Sequence, residues 1–382
     1  MQAGDEEPTG RKESLIRVEL LRSDDLAWDD WLSGVPRDVH HTAGYHAHAQ
    51  ASGEGEPFLL VVGGRRRGFA WPYLLRPVSE VQSLAGSGAT DITSVYGYPG
   101  PLAWGCAPGD PFLAAAWSEV QAVWREQGAV SAFTRFHPLL GNASLLAAIP
   151  WPPSGESEPE PIVPVGQTVS IDCSLGDDAA RAGYAGNLRR RIDAARHAGL
   201  FTTHDESWSN LGTFARLYDE TMARNAASDY YYFRLADFER LRTALGDHVH
   251  LLVTRKDEEV AAAGLFTEFG GIIQTHLVAT NEALLSWSPF KVLVDDARSW
   301  ARERGAAVLH LGGGRGGHED GLFRFKGDFS PRRHTFCTGR WVLDRATYRD
   351  LVETRISGVA ARELLDPSYF PAYRASVLAA GP

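Results

Sequence analysis

The sequence predicts an α/β fold made from two copies of one α/β unit, and two observations predict it. The first is a repeated helix signature. Pro111-Phe112 leads through Trp124-Arg125-Glu126-Gln127-Gly128-Ala129-Val130 into a strand, and Pro289-Phe290 leads through Trp300-Ala301-Arg302-Glu303-Arg304-Gly305-Ala306 into another. Each helix follows a hairpin and an intervening segment in the same order, as a duplicated unit requires. The second is a stretch at 150–164 that holds six prolines among Gly, Ser and Glu, a linker by composition. The expected organisation is a disordered polar start (1–14), a first domain (15–149), a linker (150–165), a second domain (166–336) and a C-terminal segment (337–382) that returns to the first.

Each element has its own local reason. Leu15 to Leu21 alternates as a strand, and Trp28 and Trp31, three apart, mark a helical segment over 25–32. Phe58–Val62 and Gly68–Leu75 are strands joined by Gly63-Gly64-Arg65-Arg66-Arg67, a hairpin signal. Pro111 to Gly128 is a helix with Pro in its first turn and Gly at its end, and Ala129–Phe136 follows as a strand. In the second half, 177–197 reads as one helix ended by Gly199, and Leu211–Arg224 as the next. A hairpin pairs 249–254 with 260–269, a strand covers 271–279, a helix covers 289–304, and a short strand ends at Leu311.

The chain has 382 residues, with 44% hydrophobic and 10% aromatic residues, enough for two real cores. Its formal net charge of −10 argues against a surface coated for nucleic acid or anionic membrane, while leaving room for a local basic groove. Cys106, Cys173 and Cys337 show neither CxxC nor regular spacing, so neither zinc nor a disulfide framework is indicated. A polar N-terminus and the lack of any long apolar run lead to the expectation of a soluble, cytoplasmic protein.

The stretch Leu309 to Ser330, LHLGGGRGGHEDGLFRFKGDFS, carries the chemistry. A strand runs into five glycines within six residues, a loop whose backbone can pass close to a ligand. Gly312-x-Gly314-x-x-Gly317 fits the dinucleotide fingerprint in letters only. His318-Glu319-Asp320-Gly321 is a poor helix start, and 337–342 offers no acid for a ribose. Lys326 then stands among Phe323 and Phe325. It reads as a charge placed at a reaction centre, or as a surface lysine beside core aromatics. The loop Tyr96-Gly97-Tyr98-Pro99-Gly100-Pro101 is either a tight turn or a substrate wall.

Four histidines, His40, His41, His46 and His48, fall within nine residues. With no carboxylate or cysteine among them at ligand spacing, they read as a helix cap and exposed helix face rather than a metal site. His137 before Pro138 is a structural residue or a general base. Arg189, Arg190, Arg191 and Arg196 could face a phosphate-bearing ligand or line a solvated helix face. No G-x-S-x-G, Cys/His pair or HExxH appears. A lysine and tyrosines with no marked nucleophile suit direct transfer, in which an amine attacks an activated acyl ester or thioester.

YGYPGPL near residue 100, FTRFHPLL at 133–140 and LGGG with GLFRFKGDFS within 311–330 resemble the Fem-type (FemABX) transferases and their acyltransferase relatives. The resemblance runs from about residue 15 to 345 and implies two tandem GNAT-like domains, each a mixed sheet flanked by helices, in agreement with the repeat. It implies transfer of an aminoacyl group from aminoacyl-tRNA to an amine, with a peptidoglycan precursor or a secondary-metabolite amine as acceptor. Phe325-Lys326 matches the family's Phe-Lys pair, which makes Lys326 the residue that stabilises the developing oxyanion. The substrate contacts expected are Tyr96, Tyr98, Arg224, Tyr232, His276, Gly313, Gly314 and Arg324; Arg189, Arg190, Arg191, Arg332 and Arg333 would line a path for the tRNA acceptor end. No cofactor or metal is expected. The coiled-coil arm of some Fem-type members has no room here, and Gln274-Thr275-His276 lacks the tyrosines expected in that strand. The rivals are an acyl-CoA-dependent N-acyltransferase, weakened by the missing pyrophosphate loop before Pro289, and a non-catalytic binding module.

Overall fold

A computed structural model describes residues 16–147, 149, 160–358 and 363–379. The segment expected to be disordered and positions 150–159 of the linker lie outside the described residues.

The first half runs β1 (Val18–Arg22), α1 (Ala27–Trp31), α2 (Ala43–Ala51), β2 (Glu56–Gly63), β3 (Gly68–Pro77), β4 (Thr90–Thr93), β5 (Leu102–Trp104), α3 (Pro111–Glu126), β6 (Ala129–Arg135) and α4 (Ser144–Ala147). The second runs β7 (Ile162–Asp172), α5 (Asp177–Ala182), α6 (Leu188–His197), β8 (Leu200–His204), α7 (Leu211–Arg224), α8 (Leu235–Leu245), β9 (Val249–Lys256), β10 (Glu259–Phe269), β11 (Ile272–Thr280), α9 (Pro289–Glu303), β12 (Val308–Gly312), α10 (Gly321–Gly327) and β13 (Arg333–Val342). Then come α11 (Arg345–Ser357), β14 (Glu363–Leu365) and β15 (Val377–Ala379).

Aside from the short β5, the order β1-α1-α2-β2-β3-β4-α3-β6 recurs as β8-α7-α8-β9-β10-β11-α9-β12. Both crossover helices begin on the expected prolines. In each copy four antiparallel strands are followed by a parallel one, β4 beside β6 and β11 beside β12. The copies then complete one another. The path is β1-β2-β3-β4-β6-β13-β7-β12-β11-β10-β9-β8, so one 13-stranded mixed sheet, with β5 on β3, runs through both halves.

β13 bonds to β6 on one side and β7 on the other, and this carries the C-terminal segment back to the first half. The return is anchored beyond the sheet as well. Tyr373 is fully buried, its hydroxyl 2.7 Å from Ser131 Oγ and donating at 3.2 Å to Asp91.

Helices cover the apolar faces. α9 buries Leu293, Val294 and Ala297 against Leu309, Leu311 and Ile273 of the sheet, the Leu and Val side chains contributing ~1.5–3 kcal/mol each by burial. One helix expectation needs correction. The span 177–197 is two helices, broken at Gly183 to Asn187, where Gly186 takes φ +58° and Tyr184 turns inward to donate to Asp295 at 2.5 Å. Asp295 is fully buried and also holds Arg181 at 3.0 Å and Arg196 at 2.9 Å. Arg196 is therefore an internal ion-pair partner, not a residue that faces a ligand.

Candidate active site

The site forms where β11 and β12 separate. They pair only from Ile272 with Val308 to Gln274 with His310. Beyond that, β11 stays with β10 and β12 stays with β7, which it meets as far as Gly312 with Val169. A bulge in β11, where Leu265 meets Leu277 but Phe266 meets Thr275, leaves His276 as the extra residue. Bulges re-aim side chains at such places, and His276 lies edge-on to Tyr45 and Tyr96. Burial and the nearby His40 and His48 hold its ring at about 3.

Strand alternation sorts the faces. Ile171, Ile273 and Leu309 enter the core under α9, while Ser170, Gln274 and His310, register partners of one another, share the opposite face, toward the first half.

The glycine loop and α10 place Lys326. The structure corrects the reading of His318 to Gly321 as a poor helix start. Asp320 caps α10, accepting from Phe323 N at 2.9 Å, and also accepts from Arg315 N at 3.2 Å, so one carboxylate fixes loop and helix. Gly314 can only be glycine, because a Cβ there would stand 2.0 Å from the His318 carbonyl oxygen. A dinucleotide reading fails on geometry too, because β7, antiparallel to both, lies between β12 and β13 where that fold sets the next parallel strand beside the first. Lys326 Nζ turns back to donate to the Gly313 carbonyl at 2.6 Å. Burial lowers its pKa to about 8, against an opposing pull from Asp320.

The first half delivers Tyr98 to the same point. Its ring packs 5.6 Å from His310 and 5.5 Å from Phe336, and its hydroxyl faces the Gly313 N–H. Burial pushes that hydroxyl up to about 12. The loop is held stiffly, since Pro99 O accepts from His41 Nε2 at 2.7 Å and from Asn142 Nδ2 at 2.8 Å. Tyr96 stands 6.1 Å from Tyr230 and 6.2 Å from Tyr231, and its carbonyl accepts from Tyr45 at 3.0 Å.

Behind Tyr98 lies a buried polar network that sequence spacing hides. Asp38 Oδ2 accepts from His137 Nε2 at 2.8 Å and from Gln274 Nε2, and His310 Nδ1 lies 3.1 Å from Gln274 Oε1. Burial alone would raise the Asp38 carboxyl, but its contacts with His137 and His40 outweigh that and hold it low. The expectation of an exposed histidine face is overturned here. His40, His41 and His46 are buried, and Asp38, two residues before His40, is the carboxylate absent from the spacing argument.

Asp38, His40 and His137 bring three ligand atoms within 4.8 Å of one another. They do not suit a metal. His137 Nδ1 accepts from the N–H of Leu139 and of Leu140, both at 3.2 Å, so its Nε2 carries the proton given to Asp38 and has no lone pair to offer.

The other nominated residues are spread around this point. Phe325 stacks on Phe290 with ring centroids 4.9 Å apart, beneath the Lys291 ammonium at 5.0 Å. Arg324 is exposed on α10. Arg224 donates to Thr280 Oγ1 at 2.7 Å, while the neighbouring Asn225 meets Arg315 of the glycine loop at 3.4 Å. Tyr232 is half-exposed after Tyr231. Arg189 pairs with Asp193 at 4.0 Å and Arg332 with Asp172 at 2.5 Å, whereas Arg190 and Arg191 are exposed on α6. Sequence reasoning missed Asp38, Gln274 and His310. It also missed Ser170, whose hydroxyl is 2.7 Å from His334 Nε2. Among the described residues no carboxylate holds the other ring nitrogen of His334, so the pair lacks the orienting group of a serine nucleophile.

Residues 182–326 match the family model described as an acetyltransferase (GNAT) domain. No curated protein matches the sequence. Among solved structures, FemX is similar over 87% of this chain and 99% of its own, at 12% identity and a TM-score of 0.62. A conserved protein of unknown function from Bacteroides thetaiotaomicron covers 85% of this chain and 99% of its own, at 10% identity and a TM-score of 0.53. Among the described residues no helix is long and apolar enough to cross a membrane. The chain thus has the Fem-type fold of two GNAT-like domains in tandem, and its second domain matches the GNAT acetyltransferases.

Proposed function

We propose that the protein moves an acyl group from an activated donor to an amine by direct attack, with aminoacyl-tRNA as the donor. The observation that carries this reading is Lys326, a partly buried cation tied to Gly313 where β11 and β12 part. When an amine adds to an ester carbonyl, negative charge grows on the carbonyl oxygen. A preorganised ammonium in a water-poor site stabilises that charge far better than solvent does. The ammonium has three N–H donors; one is held by Gly313, and the others remain for the oxyanion.

Two surfaces meet at this lysine. On the second half, the Phe290–Phe325 stack with Lys291, and exposed Arg190, Arg191 and Arg324, offers stacking and charge to the acceptor end of a tRNA. Arg189 and Arg332, already paired with acids, contribute less. Across from it, Tyr96 and Tyr98 of the first half, with His276, Tyr230 and Tyr231 of the second, form the wall against which the amine acceptor rests, a peptidoglycan precursor or a small metabolite amine. A second reading, acyl-CoA as donor, is favoured by the match of 182–326 to an acetyltransferase domain.

Donor choice tests both. The protein is incubated with radiolabelled aminoacyl-tRNAs and an extract of candidate amines, with and without ribonuclease, and in parallel with labelled acetyl-CoA. Ribonuclease-sensitive label in an amide supports the first reading. Label from acetyl-CoA alone selects the second, and transfer from neither removes both.

A further inference from the structure

We propose that His310 is the base that takes the proton from the attacking amine, in a tautomer fixed by Asp38 and Gln274. The inference rests on the acyl-transfer reading above and supplies a residue for a step that reading leaves without one.

Asp38 can only accept, so the Gln274 side chain must turn its Nε2 toward it, as observed. The Gln274 oxygen then faces His310 Nδ1 at 3.1 Å, and that nitrogen must carry the proton. His310 Nε2 is left with a bare lone pair. It is buried and has no hydrogen-bond partner among the described residues, although His310 is only 1% exposed. A buried polar atom of this kind calls for a partner, whether a water, a ligand or a reacting group.

The other end of the chain is equally fixed, because His137 gives Asp38 its Nε2 proton while two backbone N–H groups hold its Nδ1. The ring sits on the last residue of β12 paired with β11, beside the opening and two residues before Gly312, where a Cβ would lie 3.4 Å from Lys326 Nζ. The groups facing it are Tyr98 from the first half, Lys326 from α10, His334 from β13, and Asp38 and His137 behind. Burial first, then the nearby His137, Lys326 and His334 against the pull of Asp38, keep the ring neutral and able to accept.

The amine nitrogen bonds to the acyl carbon, and its proton passes to His310 Nε2. The bond from acyl carbon to the ester oxygen of the donor breaks, and the departing oxygen takes the proton from His310, which returns to its neutral form. Lys326 remains an ammonium throughout.

The experiment uses the full chain with the donor and acceptor found active for the wild type. His310→Ala should lower the single-turnover rate about 100-fold or more, with the KM for donor changed less than about 2-fold. The acid limb of the pH–rate profile should disappear, and added imidazole should restore at least about 10-fold of the loss, which a purely structural role would not allow. A His310→Ala rate within about 3-fold of wild type, or a loss that imidazole leaves untouched, overturns the proposal. Nitrogen-15 spectra of the labelled histidines give a readout that needs neither catalysis nor a stable variant. They should show His310 protonated at Nδ1, and a proton at Nε2 overturns the assignment. Wild-type protein that transfers from neither donor removes the parent reading and this inference with it, an outcome distinct from active wild type with an indifferent variant.

Discussion

Lys326 and Gly313 are joined by a 2.6 Å hydrogen bond from ammonium to carbonyl, and the N–H of the same glycine faces the Tyr98 hydroxyl. One residue of the glycine loop therefore couples the cation of the second half to the tyrosine of the first. Tyr98→Phe keeps the ring against His310 and removes only the hydroxyl. It should cost about 1 kcal/mol of stability and slow transfer about 10-fold, read from urea unfolding and single-turnover rates. An unchanged rate would separate Tyr98 from the reaction.

Gly314→Ala tests how Lys326 is positioned. The added methyl would stand 2.0 Å from His318 O and 2.5 Å from Asp320 Oδ1, so the loop must move and the cap of α10 with it. Loss of a cap costs ~0.5–2 kcal/mol, and strain adds to that. Thermal unfolding should show the lower stability, and the transfer rate should fall with Lys326 displaced.

Asp38→Asn keeps the shape and turns an acceptor into a partial donor. With the amide oxygen kept on the Val39 N–H, which it caps at 2.7 Å, the NH2 replaces the oxygen that accepted from both His137 and Gln274. Both buried donors lose their acceptor, at a cost of about 1–3 kcal/mol each. Denaturant midpoints check this, and an unchanged midpoint would show that the network is not holding the two halves together.

The buried histidines set the response to acid. His41 and His276 are held at about 3 and His46 at about 4, first by burial. Their folded values lie below the ordinary 6.5, so the unfolded chain binds more protons at pH between the two. Stability is then fully present above about 6.5 and falls as pH drops toward the folded values, by about 1.4 kcal/mol per pH unit for each histidine. Unfolding free energies from pH 7 to 4.5 should decline steadily, beginning well above the carboxylate range. His276→Asn should reduce the slope.

Much of the frame was legible because it is written locally. Pro111 and Pro289 both start crossover helices, and Leu211–Arg224 begins and ends where its pattern does. The break at Gly183 to Asn187 was not, because Tyr184 reaches Asp295, 111 residues away. The same holds for the site. Lys326, Tyr98 and Gly313 sit in unusual local stretches, and those stretches pointed to them. Asp38, Gln274 and His310 look ordinary in sequence, and their contacts span 99, 236 and 36 residues. Only the closing of the two half-sheets through β13 and β7 brings them together.

The most direct measurement is amide formation by Lys326→Met beside wild type, in a single turnover at saturating donor. The methionine keeps most of the side-chain volume and removes the charge, and circular dichroism establishes that the fold is retained. The account predicts a fall of about 100- to 1,000-fold, the usual cost of losing one oxyanion donor. A folded Lys326→Met protein that forms the amide at the wild-type rate would contradict it.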